Sequence, residues 1–121
     1  MIGVAHRFHG YNSLRGVYQR GQNVHGQLVS LKFAHRGPGR PYRVAVVASR
    51  KTSKSAVTRN RIRRRIYEIV RQSDAGISPG TDLVFTVFDE QVAELPASKL
   101  EAMIGDLLRD IVKSKQQSSR E

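Results

Sequence analysis

The chain has 121 residues, 39% of them hydrophobic, no cysteine and a formal net charge of +11. That length and apolar content allow one domain, residues 1–121, with a modest core, and the missing cysteines exclude disulfides and thiolate metal sites. No window approaches the roughly 18 apolar residues of a membrane span, and residues 1–6 lack a charged leader followed by a long apolar run, so neither spanning nor secretion is expected and a cytoplasmic setting fits.

The charge is unevenly placed. Residues 1–72 carry sixteen basic residues and one acid, a balance of +15, whereas residues 73–121 carry five basic and nine acidic, a balance of −4. A basic binding surface is expected from the first part, with the acidic remainder turned away from a polyanion.

Residues 1–10 read as irregular. Asn12 offers a cap to a short helix through Arg20 that Gly21 ends, with Leu14, Val17 and Tyr18 as its apolar strip. Leu28–Ala34 alternates as a strand, with Val29, Leu31 and Phe33 on one face. Turn chemistry at His35–Pro41 then leads to the apolar run Tyr42–Ser49, which predicts a hairpin with a central partner strand. Asp82–Phe88 is apolar on both faces and is expected inside the sheet, with Phe85 and Phe88 in the core. Pro96 and a capping box from Ser98 to Glu101 open a last helix, whose Leu100, Met103, Ile104, Leu107, Leu108 and Ile111 form a core stripe. Residues 114–121 read as a flexible polar tail. The sum is an α+β fold, one sheet with helices packed on it.

Between the second and third strands lies the most informative stretch. Residues 50–71 hold nine of the 21 Lys and Arg residues against one acid, Glu68. From Thr58 onward, Ile62, Ile66, Ile69 and Val70 recur at the spacing of a buried helical stripe. Asn60, Arg63, Arg64, Tyr67 and Arg71 project away from it, and Arg61 and Arg65 lie on one flank. Arg59 falls near the apolar edge, a costly place unless it faces a groove or a phosphate. A helix so rich in guanidinium repels itself unless an anion compensates, and the planar fork of arginine suits phosphate oxygens. A merely solubilising face would intersperse both signs.

Side-chain catalysis is not readable. The acids Asp82, Asp89, Glu90 and Glu94 read as strand-end and loop solvation, and His6, His9, His25 and His35 fit no metal-ligand spacing. Gly37-Pro38-Gly39 is a turn rather than a phosphate loop. What remains is binding: a basic helix beside a sheet with aromatic side chains can hold a folded nucleic acid and an extended single strand, with Tyr18, Phe33 and Tyr67 as the aromatics of interest.

Ser49-Arg50-Lys51 followed by Ala56-Val57-Thr58-Arg59-Asn60-Arg61-Ile62-Arg63-Arg64 resembles the signature of the bacterial ribonuclease P protein subunit, and the order of elements agrees over about residues 7–113. The resemblance implies an α-β-β-β-α-β-α fold of the kind shared with a ribosomal-protein domain, with a left-handed crossover around the basic helix. It implies a protein inert alone that serves an endoribonuclease holoenzyme, whose catalytic RNA removes the 5′ leader of precursor tRNA with Mg²⁺. The partners implied are that RNA and precursor tRNA, with neither a membrane nor a small-molecule substrate. By the same likeness Arg50, Lys51, Lys54, Arg59, Asn60, Arg61, Arg63, Arg64, Arg65 and Tyr67 contact RNA, while Leu14, Tyr18, Leu31 and Phe33 line the leader groove between the first helix and the sheet. At Leu14 and Leu31 the family often carries aromatic residues, which makes this groove more aliphatic. A structural RNA binder of another ribonucleoprotein, such as the ribosome, is the alternative. A major-groove DNA reader fits poorly, because a strand rather than a partner helix precedes the basic helix.

Overall fold

Strand Thr81–Val87 is buried along almost its whole length, and this double-sided burial sets the architecture. The computed structural model describes residues 6, 11–35, 41–73 and 76–118, with side chains at 15–19 of the first helix and up to 111 of the last. The elements are α1 (Tyr11–Arg20), β1 (Gln22–Val24), β2 (Val29–His35), β3 (Arg43–Val47), α2 (Ala56–Gln72), β4 (Thr81–Val87), a 3-10 turn (Glu90–Ala93) and α3 (Ala97–Ser118). Leaving the 3-10 turn aside, this is the α-β-β-β-α-β-α order.

The strands lie in the order β1-β2-β4-β3. β2 pairs antiparallel with β1 and β4, and β3 runs parallel to β4. The expected hairpin between the second and third strands is therefore not formed. β4 takes the place between them because it is apolar on both faces, whereas β3 alternates buried and half-buried residues as an edge strand can. A parallel pair needs a long crossover, and α2 supplies it. The turn expected at 36–40 lies outside the described residues.

Register places Val29, Leu31 and Phe33 of β2 beside Val87, Phe85 and Leu83 of β4, and the last two beside Val46 and Val44 of β3. This face meets Ile62, Ile66 and Val70 of α2 and Leu100, Ile104 and Leu107 of α3 in one core. Each fully buried large aliphatic side chain there contributes about 1.5–3 kcal/mol. The opposite face carries Lys32, Val84 and Ala45 in one row and Ser30, Thr86 and Val47 in the next. There α1 packs mainly over β2 and β4, burying Val17 and Val84. Gly21 allows the approach, since a Cβ at this residue would lie 2.4 Å from the Val17 carbonyl oxygen and 3.0 Å from the Lys32 side chain.

Local chemistry sets the boundaries. Ser55 caps α2 by accepting from the Thr58 amide at 3.2 Å, so the helix begins at Ala56, two residues ahead of the periodic stretch. Gly80, with φ of 82°, turns the chain into β4. The capping box expected at Ser98 is absent, because α3 already begins at Ala97 and the Pro96 carbonyl accepts from Lys99 and Leu100 at 3.0 and 3.1 Å. At its other end α3 runs to Ser118, into the polar stretch whose Lys and Gln residues favour helix.

Asp82 is not a solvated strand end. It is 2% exposed, and Arg43, its neighbour in the parallel ladder, donates Nε to Oδ1 at 2.9 Å and Nη2 to Oδ2 at 2.8 Å. Removing one member leaves a buried charge behind. Asp82→Ala should destabilise the fold by about 3–5 kcal/mol in denaturant unfolding, and joint replacement of Arg43 and Asp82 by apolar residues of similar volume should recover most of that loss.

Candidate nucleic-acid interface

The buried stripe Ile62, Ile66 and Val70 fixes how α2 is rotated, and the rotation sorts its polar side chains into separate groups. On the flank facing the 3-10 turn, Arg65 donates Nη1 to the Val92 carbonyl at 2.6 Å and Nη2 to that of Leu95. Beside it Arg61 lies 3.4 Å from the Glu94 carboxylate, with both groups more than half exposed, a pairing that contributes little to stability. On the flank facing β3, Arg63 donates to Asn60 Oδ1 and, at 3.4 Å, to the Ala48 carbonyl. Tyr67 packs against the core and its hydroxyl accepts from the Val46 amide at 3.2 Å. Arg64 stands on the outward face without a side-chain partner among the described residues. Arg71 on that face is paired with Glu68, whose carboxyl it holds below the usual glutamate value.

Arg59 has its explanation here. Its Nη1 donates to the carbonyls of Ser53 and Lys54 at 2.9 and 3.3 Å, so it closes the preceding loop onto the first turn of α2. Arg59, Arg65 and Tyr67 thus direct their polar atoms at protein groups, which the helical wheel could not reveal. The loop itself is firmly built. Thr52 is buried and donates its hydroxyl to the Val87 carbonyl at 2.7 Å, while the Ser49 carbonyl accepts from the Thr52 and Ser53 amides at 3.0 and 3.2 Å. Arg50, Lys51 and Lys54 are left exposed on a fixed backbone.

That loop ends the parallel pair β3 and β4. Facing it across a cleft of about 660 Å³ are Phe88, Asp89 and Glu90. Asp89 accepts from the Gln91 amide at 2.9 Å, and this backbone N–H holds its carboxyl below the usual aspartate value. The folded value being depressed, the contribution of Asp89 to the turn is complete above its unfolded value and is lost as pH falls through the folded one.

The groove expected between α1 and the sheet would lie on the sheet face that carries α1. Tyr18 is 45% exposed, and Lys32 Nζ sits 5.4 Å from its ring centroid, a cation over an aromatic face. Beyond α1, half-buried Ser30, Ala45, Val47 and Thr86 floor the open part of this face. Two of the expected groove residues are elsewhere. Leu31 is fully buried and Phe33 packs against the same core, because both belong to the β2 face covered by α2 and α3. The Leu14 side chain lies outside the described residues. Phe88, expected in the core, is 56% exposed. Strand parity was the signal: Phe88 continues the row of Val84 and Thr86, past the reach of α1.

A single α+β domain with exposed cations at Arg50, Lys51, Lys54 and Arg64 and exposed rings at Tyr18 and Phe88 has the features of an RNA-binding protein that works within a ribonucleoprotein. Comparison with known proteins makes this particular. The family model described as Ribonuclease P matches residues 4–112. The ribonuclease P protein component of Synechococcus sp. strain JA-2-3B'a(2-13) is 38% identical over 88 residues, 70% of this chain and 66% of the relative. That of Pseudanabaena sp. strain PCC 6903 is 35% identical over 96 residues, 79% and 78% of the two chains. The fold matches the Staphylococcus aureus ribonuclease P protein with a TM-score of 0.77 at 18% identity, over 88% of this chain and 95% of that one. It matches the Thermotoga maritima protein with a TM-score of 0.71 at 21% identity, over 80% and 89%. The chain belongs to the ribonuclease P protein component family, the protein part of an endoribonuclease that also contains RNA.

The two groups of arginines should separate in experiment. Arg65→Ala is expected to lower stability by about 1.5–3 kcal/mol through loss of its carbonyl contacts. Arg64→Ala should change stability by less than about 0.5 kcal/mol and make the log-log salt slope of RNA binding shallower by about 0.7–0.9. Unfolding curves and filter binding at several salt concentrations measure both.

Proposed function

We propose that this protein docks on the catalytic RNA of ribonuclease P and holds the single-stranded 5′ leader of precursor tRNA, assisting Mg²⁺-dependent endonucleolytic removal of the leader in the cytoplasm. The observation that carries this reading is that the loop bearing Arg50, Lys51 and Lys54 leaves from the C-terminal end of β3 beside the end of β4, while Tyr18 and Lys32 lie farther back over the middle of the sheet face that carries α1. The outward side of α2, with Asn60, Arg61 and Arg64, extends the cationic surface toward a folded RNA. A strand laid along the open face has side chains for its bases and, at the loop, cations for its phosphates, which raises substrate affinity and reduces the Mg²⁺ needed to screen phosphate repulsion.

The metal belongs with the RNA in this reading. Among the described residues no three histidine or carboxylate side chains gather as ligands, so no step is assigned to a protein-bound ion. Family membership speaks against the alternative of a structural RNA binder in another ribonucleoprotein.

The test is cleavage of precursor tRNA at low Mg²⁺ by the catalytic RNA alone, with the protein, and with a variant carrying Arg50→Ala, Lys51→Ala and Lys54→Ala. The wild type should rescue cleavage, the triple variant should lose most of the rescue, and the protein without RNA should be inert. Failure of the wild type to rescue would move the assignment to another RNA. Tyr18→Ala should weaken binding of precursor tRNA by about tenfold, as expected for loss of one stacked base, and leave mature tRNA unaffected. Equal weakening of both would remove Tyr18 from the leader path.

A further inference from the structure

We propose that Phe88 is a base-stacking platform: an unpaired RNA nucleotide lies in the cleft at the ends of β3 and β4, its base on the Phe88 ring and its phosphates on Arg50, Lys51 and Lys54. The inference rests on the function proposed above and adds to it a residue and an orientation for one nucleotide. Single exposed apolar side chains are ordinary on protein surfaces, so exposure alone would mean little. Two further features distinguish Phe88.

The first is that its backbone is held on both sides. The Phe88 amide donates to the Leu28 carbonyl at 2.8 Å, which continues the β2–β4 ladder past its last paired residues. The next residue, Asp89, is fixed by its cap on Gln91. A ring carried on a fixed backbone loses little conformational freedom when a base settles on it. The second is the charge of the cleft, whose lining comes from two unlike segments, residues 50–55 and 88–90. The loop segment presents the cations Arg50, Lys51 and Lys54, while the Phe88 segment continues into Asp89 and Glu90. Phosphates are attracted to the first and repelled by the second, so a nucleotide entering the cleft places its backbone against the loop and its base against the ring. A duplex cannot comply, because its bases are already stacked and its phosphates line both outer edges.

The experiment compares wild type, Phe88→Ala and Phe88→Trp in two assays, with folding checked by thermal unfolding. In the first, the proteins alone bind a short unstructured oligoribonucleotide and, separately, the corresponding duplex. Phe88→Ala should weaken the single strand by about tenfold, as for loss of one stacked base, with an unchanged salt slope because no charge is removed, and should leave the duplex unaffected. Phe88→Trp should retain wild-type affinity. In the second, the holoenzyme binds precursor tRNAs carrying an abasic site at successive leader positions. One position should cost the wild type about as much as Phe88→Ala does, and cost the Phe88→Ala holoenzyme nothing more.

Equal weakening of single strand and duplex, a parallel change in salt slope, or unchanged single-strand affinity would overturn the assignment. Unchanged RNA affinity with an altered sedimentation coefficient would instead give Phe88 to a contact between protein copies. Wild-type protein that fails to stimulate precursor cleavage refutes the proposed function, while the oligoribonucleotide assay still decides on Phe88.

Discussion

A strand that is apolar on both faces has to be covered on both, and β4 imposes this demand on the whole molecule. One face is met by α2 and α3, which close the main core with Phe85 at its centre. The other is met by α1, too short to cover the sheet, so the outer row of β3 and the end of β4 stay open. The surface proposed to bind RNA is thus the part of a necessary interface that no helix fills. Parallel pairing of β3 with β4 places both strand ends on the same side, and the loop into α2 and the segment after β4 leave from there together. The charged pair Arg43 and Asp82 lies at the opposite end of the same two strands and ties them there, beside core residues Val44 and Leu83.

The basic helix shows how one composition serves two purposes. Three isoleucine and valine side chains at helical spacing fix its rotation, and everything else on it is placed by that choice. Arginines on the flanks reach carbonyls left over by the 3-10 turn, by the end of β3 and by the loop before the helix. The guanidinium group suits this because several donors in a fixed plane can satisfy more than one acceptor. Of those that point outward, Arg71 pairs with Glu68 and Arg61 lies near Glu94, while Arg64 has no side-chain partner among the described residues and suits an external anion. The helix is therefore held by some of its arginines, while others are left facing outward, where the proposed function puts RNA.

Much of this was legible in the residues. Periodicity located α2 and α3 and their buried stripes, double-sided apolarity put β4 inside the sheet, and the resemblance supplied the element order and the family. Strand neighbours were not legible: an apolar run such as Tyr42–Ser49 carries no mark of which strand it will pair with, and the short connection suggested a hairpin. The site was only half readable for a related reason. Alternation showed that Leu31 and Phe33 share a face but not which layer covers that face, and the answer moved both from the groove to the core. Arg59 and Arg65 look like their neighbours on a wheel, since the carbonyls that engage them come from segments before and after the helix. Phe88 was hidden by its apolar company in β4, although its place beyond the last buried residue marked the change.

The hydrogen bond from the Val46 amide to the Tyr67 hydroxyl, with Arg63 on the Ala48 carbonyl nearby, also bears on how the chain survives before it meets RNA. β3 is an edge strand, and a bare edge is a template for pairing with another chain. Here α2 blunts that edge with its own side chains while covering the apolar face behind it. Lifting α2 from the sheet would expose both at once, and at that moment the molecule would be open to self-association. Secure seating of the arginine helix is therefore a safeguard against aggregation as well as a means of recognition, and substitutions chosen only for RNA affinity can be costly in yield.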